Sequence, residues 1–116
     1  MWNKPTDKQL AKLPPLYSTE NVEPKDKIVQ MHFFLFGSDW WAVEYSPEEK
    51  LFFGFVCLAG LEDCAEWGYF SLRELVELKI QGAEIDRDLF WEVRPVREVM
   101  DIPRSERQGR SHDAIL

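Results

Sequence analysis

The stretch IVQMHFFLFGSDWWAVEYSPEEKLFFGFVCL, residues 28–58, decides the fold. It holds three runs rich in β-branched and aromatic residues, the types that favour a pleated, half-buried surface. These are Ile28–Phe36, Trp40–Tyr45 and Leu51–Leu58. Gly37-Ser38-Asp39 and Ser46-Pro47-Glu48-Glu49 separate them, and both are turn-forming strings. Connections this short join only antiparallel neighbours. Alternation along the second run puts Trp41, Val43 and Tyr45 on one face and Trp40, Ala42 and Glu44 on the other. The third run is apolar on both faces, which predicts a central strand covered on both sides. Gly54 inside it predicts a bulge or a close approach by a neighbouring chain.

Outward from this stretch, residues 65–70 read as a fourth strand. Ser71 and Glu74 then form a capping box, with Leu72, Leu75 and Val76 as the buried stripe of a helix. Gly82 is expected to mark the stop after that helix. Ile85, Leu89, Trp91 and Val93 alternate, predicting one more strand over residues 83–93. Upstream, Thr6 and Gln9 form a second capping box for a helix over residues 6–13, ended by Pro14 and Pro15. Residues 16–27 read as a connecting loop. The expected fold is α+β: an antiparallel sheet of four to five strands with two to three helices packed on it. Residues 1–93 form the single domain in this reading. Residues 94–116 form a short helical turn at Val96, Val99 and Met100, then a disordered Arg-rich tail.

At 116 residues the chain holds one domain. The uncharged run from Ile28 to Ser38 is about half of the ~20 residues a membrane helix needs, which excludes a membrane span of that kind. The start, Met1 to Thr6, has no apolar core, so no signal peptide is expected, and the cytoplasm is the expected location. The net charge is −7, unevenly spread. Residues 31–93 carry 4 basic and 13 acidic side chains, whereas each flank is at +1. An acidic centre repels nucleic acid and steers toward basic partners.

Cys57 and Cys64 make no disulfide framework, and no spacing suggests zinc. No cofactor and no metal is expected. No Ser/His/Asp arrangement, Gly-rich phosphate loop or Walker motif occurs. The aromatics at 40–70 have only Lys50 beside them, too little positive charge for a base-stacking sheet to hold phosphates. Most of them read as core. The carboxylates Asp39, Glu44, Glu66, Asp86 and Asp88 lack a metal or acid/base signature. Asp86 and Asp88 share a face if their segment is a strand. His32, in an apolar strand, reads as a buried histidine with one hydrogen-bonded partner.

Several strings stand together: Met1-Trp2-Asn3-Lys4-Pro5-Thr6, Leu13-Pro14, His32-Phe33-Phe34, Asp39-Trp40-Trp41, Leu51-Phe52-Phe53-Gly54, Glu66-Trp67-Gly68-Tyr69-Phe70-Ser71 and Asp86-Arg87-Asp88-Leu89. Over residues 1–93 the chain resembles a family of small uncharacterised bacterial proteins, a domain of unknown function. Its members are carried by plasmids, integrative elements and phages. The resemblance implies a genomic setting in which small acidic proteins act against host defence, as anti-restriction or anti-CRISPR proteins do. The expectation is a binding protein rather than an enzyme, one that covers a basic, nucleic-acid-processing host protein. Asp39, Glu44, Glu48, Glu49, Glu62, Asp63 and Glu66 would supply the charge and Trp40 the apolar anchor. The alternative is a small ligand-binding or metal-dependent enzyme domain using His32 and clustered carboxylates. A third reading is an accessory domain whose contact face is aromatic.

Overall fold

The computed structural model describes residues 1–60 and 65–100. In chain order these form α1 (Asp7–Leu10), a 3-10 turn (Pro24–Asp26), β1 (Ile28–Val29), β2 (Met31–Leu35), β3 (Ser38–Ser46) and β4 (Leu51–Cys57). Then follow β5 (Glu66–Ser71), α2 (Leu72–Glu77), β6 (Lys79–Ile80), β7 (Ala83–Glu84), β8 (Asp86–Arg87), β9 (Arg94–Pro95) and α3 (Val96–Met100). The expected capping boxes are both made. Thr6 accepts from the Gln9 amide and Gln9 from the Thr6 amide, and Ser71 and Glu74 do the same. Each satisfies two backbone N–H groups that a helix start otherwise leaves open.

The main sheet has five strands in the order β5-β4-β3-β2-β8, every pair antiparallel. β2 to β5 are consecutive, so the centre is a meander. β8 returns to the outer edge of β2, with Phe33 opposite Arg87. The architecture is α+β, with small helices on both faces of the sheet. One core joins Leu10 of α1, Leu13 just after it, and Leu72 and Leu75 of α2, to Phe33, Trp40, Phe52, Phe70 and Ile85. The other joins Val29, Trp41, Val43 and Cys57 to Val96 and Val99 of α3. No helix among the described residues is long and apolar enough to cross a membrane.

A bulge organises the two faces. Ala42 pairs with Gly54 and Glu44 with Phe53, so Val43 is the extra residue in β3. The phase of the strand flips there. Tyr45 joins Trp40 and Ala42 in the first core instead of following Trp41 and Val43 as strict alternation predicts. Gly54 allows this, because a Cβ there would fall far inside the van der Waals contact distance of the Trp41 carbonyl oxygen. The expectation for Gly54 therefore holds.

Two expectations change. Residues 83–93 are not one strand. The Asp88 side chain accepts from the Phe90 amide at 2.9 Å and the Asp88 carbonyl from the Trp91 amide at 3.3 Å, turning the chain away after β8. Gly82 does not stop α2, which ends at Glu77; with Gln81 it makes the positive-φ turn of the β6–β7 hairpin. The helical turn expected at Val96, Val99 and Met100 is α3. Arg94 and Pro95 pair with β1, and Val96 and Val99 are buried against the sheet, so the packed chain runs at least to residue 99. The disordered tail expected over 103–116 lies outside the described residues.

Candidate functional site

Two clusters gather the polar and aromatic side chains singled out from the sequence. The first is built around His32. Its β2 position opposite Trp41 turns the imidazole onto the α3 face, stacked on the Trp41 ring at 5.5 Å and 10°. Phe34 and Trp91 flank it at 5.6 and 5.3 Å. Nε2 lies 2.8 Å from Asp39 Oδ1 and Nδ1 lies 3.2 Å from Asp88 Oδ2. Ionised carboxylates only accept, so both contacts are satisfied when both ring nitrogens carry protons. Burial works against that charge. The hydrogen bonds and charges of Asp39 and Asp88 outweigh it, and the His32 pKa is raised above the ordinary histidine value. The Asp88 amide also donates to the His32 carbonyl at 2.9 Å. Trp91 Nε1 donates to Val29 O at 2.9 Å, and the Arg94 guanidinium lies over the Trp91 ring at 4.6 Å. Asp39, His32 and Asp88 thus fasten the segment after β8 to the sheet.

His32 and Asp39 are both 0% exposed. With both ring nitrogens engaged, the imidazole presents no lone pair to a substrate. The convergence that an enzyme would need is present, but as a buried ion cluster. Among the described residues no group of three or more His, Cys, Asp and Glu side chains is placed to hold a metal ion.

The second cluster lies on the outer part of the same face. Phe53 and Phe55 of β4 and Trp67 and Tyr69 of β5 project together. Phe53 stacks on Trp67 at 5.5 Å and 13°, and meets Tyr69 at 5.1 Å. Phe55 meets Trp67 edge-on at 5.4 Å. Tyr69 is 52% exposed, and Phe53, Phe55 and Trp67 are half-buried. The loop after α1 reaches this face because Glu44, released onto it by the bulge, accepts from the Tyr17 amide at 2.8 Å and the Thr19 amide at 3.0 Å. The Thr19 hydroxyl also donates to Glu44, and the buried Lys27 ammonium donates to the Thr19 carbonyl and hydroxyl oxygens. The Tyr69 phenol pKa is raised, first by partial desolvation, then by the Tyr17 hydroxyl and the charges of Glu44 and Glu20.

A family model described as a protein of unknown function (DUF2958) matches residues 6–106. The chain belongs to this family. The match passes the boundary expected at 93, in agreement with the packing of α3. No curated protein and no solved structure matches the chain.

The acids and tryptophan expected on a partner surface divide into three sets. Asp39, Glu44 and Trp40 are buried, which corrects their placement: Asp39 holds His32, Glu44 holds the Tyr17–Thr19 loop, and Trp40 fills the first core. Glu48, Glu49 and Glu66 are exposed, the first two at the β3–β4 turn and the third at the start of β5. Glu62 and Asp63 lie outside the described residues. Asp86 and Asp88 do not share a role, since Asp86 accepts from Asn3 at 2.8 Å while Asp88 faces His32. Sequence reasoning missed Tyr17 and Tyr69 as surface aromatics. Their signal was weak: Tyr17 lies in a polar loop, and Tyr69 alternates with Phe70 in a strand that looks uniformly apolar.

Proposed function

We propose that this protein is a small acidic binding module that occupies a basic surface of a protein partner. The observation that carries this reading is the β4–β5 ribbon. Half-open aromatic rings lie along it, with Glu48 and Glu49 at one end and Glu66 at the other. Aromatic side chains supply apolar contact area at low entropic cost, and flanking carboxylates select a cationic counterpart. The reading extends to a cytoplasmic protein of a plasmid, integrative element or phage that inhibits a host nucleic-acid-processing protein of the restriction or CRISPR type. The net charge of −7 supports a target whose own surface is basic.

The test compares wild-type protein with a variant carrying Glu48→Lys, Glu49→Lys and Glu66→Lys. Both are used as bait in host lysate, with and without nuclease, at low and raised salt. The expected result is stoichiometric capture of a nucleic-acid-binding protein that survives nuclease, weakens with salt and is lost in the variant. Equal capture by the correctly folded variant refutes the reading.

A further inference from the structure

Tyr17, in the loop after α1, is 59% exposed and sits with φ at 71°, a left-handed conformation uncommon for a residue with a side chain. Its amide is held there by Glu44, which lies opposite Phe53, itself opposite Tyr69. Glu20, exposed and three residues along the same loop, donates its amide to the Tyr17 carbonyl at 3.3 Å. Beside Tyr69, on the neighbouring strand, lies the Phe53 ring, itself stacked on Trp67. Tyr17, Tyr69, Phe53 and Trp67 are therefore gathered at one edge of the sheet, with Glu20 exposed on the loop that carries Tyr17. Among the described residues, no strand pairs with the outer edge of β5.

We propose that this corner is the contact site for an extended basic segment of a partner protein, which lies along β5 and seats cationic side chains on the Tyr17, Tyr69 and Trp67 rings. The inference rests on the binding-module reading and names the partner chemistry of that surface. Charge complementarity selects the occupant. A cation gains from the ring faces and from the exposed Glu20 and Glu66 together, whereas an anion meets two carboxylates and a neutral apolar strand leaves them idle. Geometry selects its form. Trp67 and Tyr69 are two apart on one face of a strand, the same spacing at which alternate side chains of an extended chain project. The unpaired edge of β5 offers the backbone groups that an added strand uses. Glu66, exposed at the start of β5, extends the acidic lining along the path of such a strand.

The probe is an acetylated, amidated octapeptide of alternating Arg and Thr, titrated into the full chain and followed by backbone-amide and aromatic-ring NMR shifts. A Glu-Thr peptide of equal length is the control. The expected result is that Arg-Thr shifts concentrate on residues 66–71 and on Tyr17, and that Glu-Thr causes none. Tyr69→Ala weakens binding roughly two- to fivefold, the span of an exposed cation–ring contact. Tyr69→Phe, which keeps the ring, restores it. Glu20→Lys, on an exposed loop position, weakens it further at low salt than at high salt. Shifts confined to Glu48 and Glu49, with Tyr69→Ala binding as wild type, overturn this inference while the acidic-module reading stands. An absence of Arg-Thr binding overturns the inference, and the lysate capture then decides the broader reading by itself.

Discussion

Replacing His32 with Phe tests the buried ion cluster directly. Phenylalanine keeps a ring of similar breadth against Trp41, so the stack at 5.5 Å survives while both hydrogen bonds vanish. Asp39, at 0% exposure, then stays inside without the cation it faces. Removing one partner of a buried pair costs about 3–5 kcal/mol, because the remaining charge is left uncompensated. Against a typical domain stability of about 5–15 kcal/mol this is about a fifth of the total or more. At roughly 4–8 °C per kcal/mol for a domain near this size, Tm falls by at least about 12 °C. The pH dependence has a definite sign. A histidine whose folded pKa is raised stabilises the fold fully below its unfolded value of about 6.5, and this stabilisation is lost as pH rises through the folded value. Guanidinium unfolding of the wild type from pH 5.5 to 9 reads that decline. Imidazole nitrogen shifts of His32 read its proton count directly. Retention of stability within about 1 kcal/mol in His32→Phe at pH 7 refutes the cluster, given the cost of an orphaned buried charge. An imidazole that titrates at or below the ordinary value refutes the raised pKa.

Gly54→Ala probes the bulge. The new methyl meets the Trp41 carbonyl oxygen, with the Trp41 carbonyl carbon at 2.9 Å and the Ala42 Cα at 3.1 Å, all of it backbone in the centre of the sheet. Forced overpacking of this kind costs about 1–3 kcal/mol, read as a fall in the denaturant midpoint, and an unchanged midpoint contradicts the close approach. Glu44→Gln probes the loop that carries Tyr17. One side-chain oxygen becomes an NH₂ facing either the Tyr17 or the Thr19 amide, so about 1–3 kcal/mol is lost. Amide exchange at Tyr17 and Thr19 should quicken before the sheet is affected. Full protection at both amides would refute the anchoring role.

The legible part of this fold was local. Thr6/Gln9 and Ser71/Glu74 announce helix starts because a capping box is completed within four residues. The short turns around Gly37 and Pro47 imply a meander because no crossover fits in so few residues. Gly54 signalled a close approach through the simple absence of a Cβ. The candidate site was legible only as a list of residues. His32 was recognisable as buried, since its neighbours in β2 are apolar, but its second carboxylate was not. Asp88 reaches it through a β2–β8 pairing across more than fifty residues of sequence.

The amino-acid sequence by itself determined the α+β class, the antiparallel order of β2 to β5 and the acidic character of the centre, because periodicity, turn chemistry and charge act over a few residues. Tertiary structure alone decided which carboxylates face inward. A single extra residue, Val43, flips the phase of β3. That flip sends Tyr45 to one core and Glu44 to the loop that carries Tyr17. The same stretch of strand holds Asp39 against His32. Strict alternation cannot foresee the flip, since the bulge is set by how closely the Trp41 backbone can approach Gly54 on the neighbouring strand.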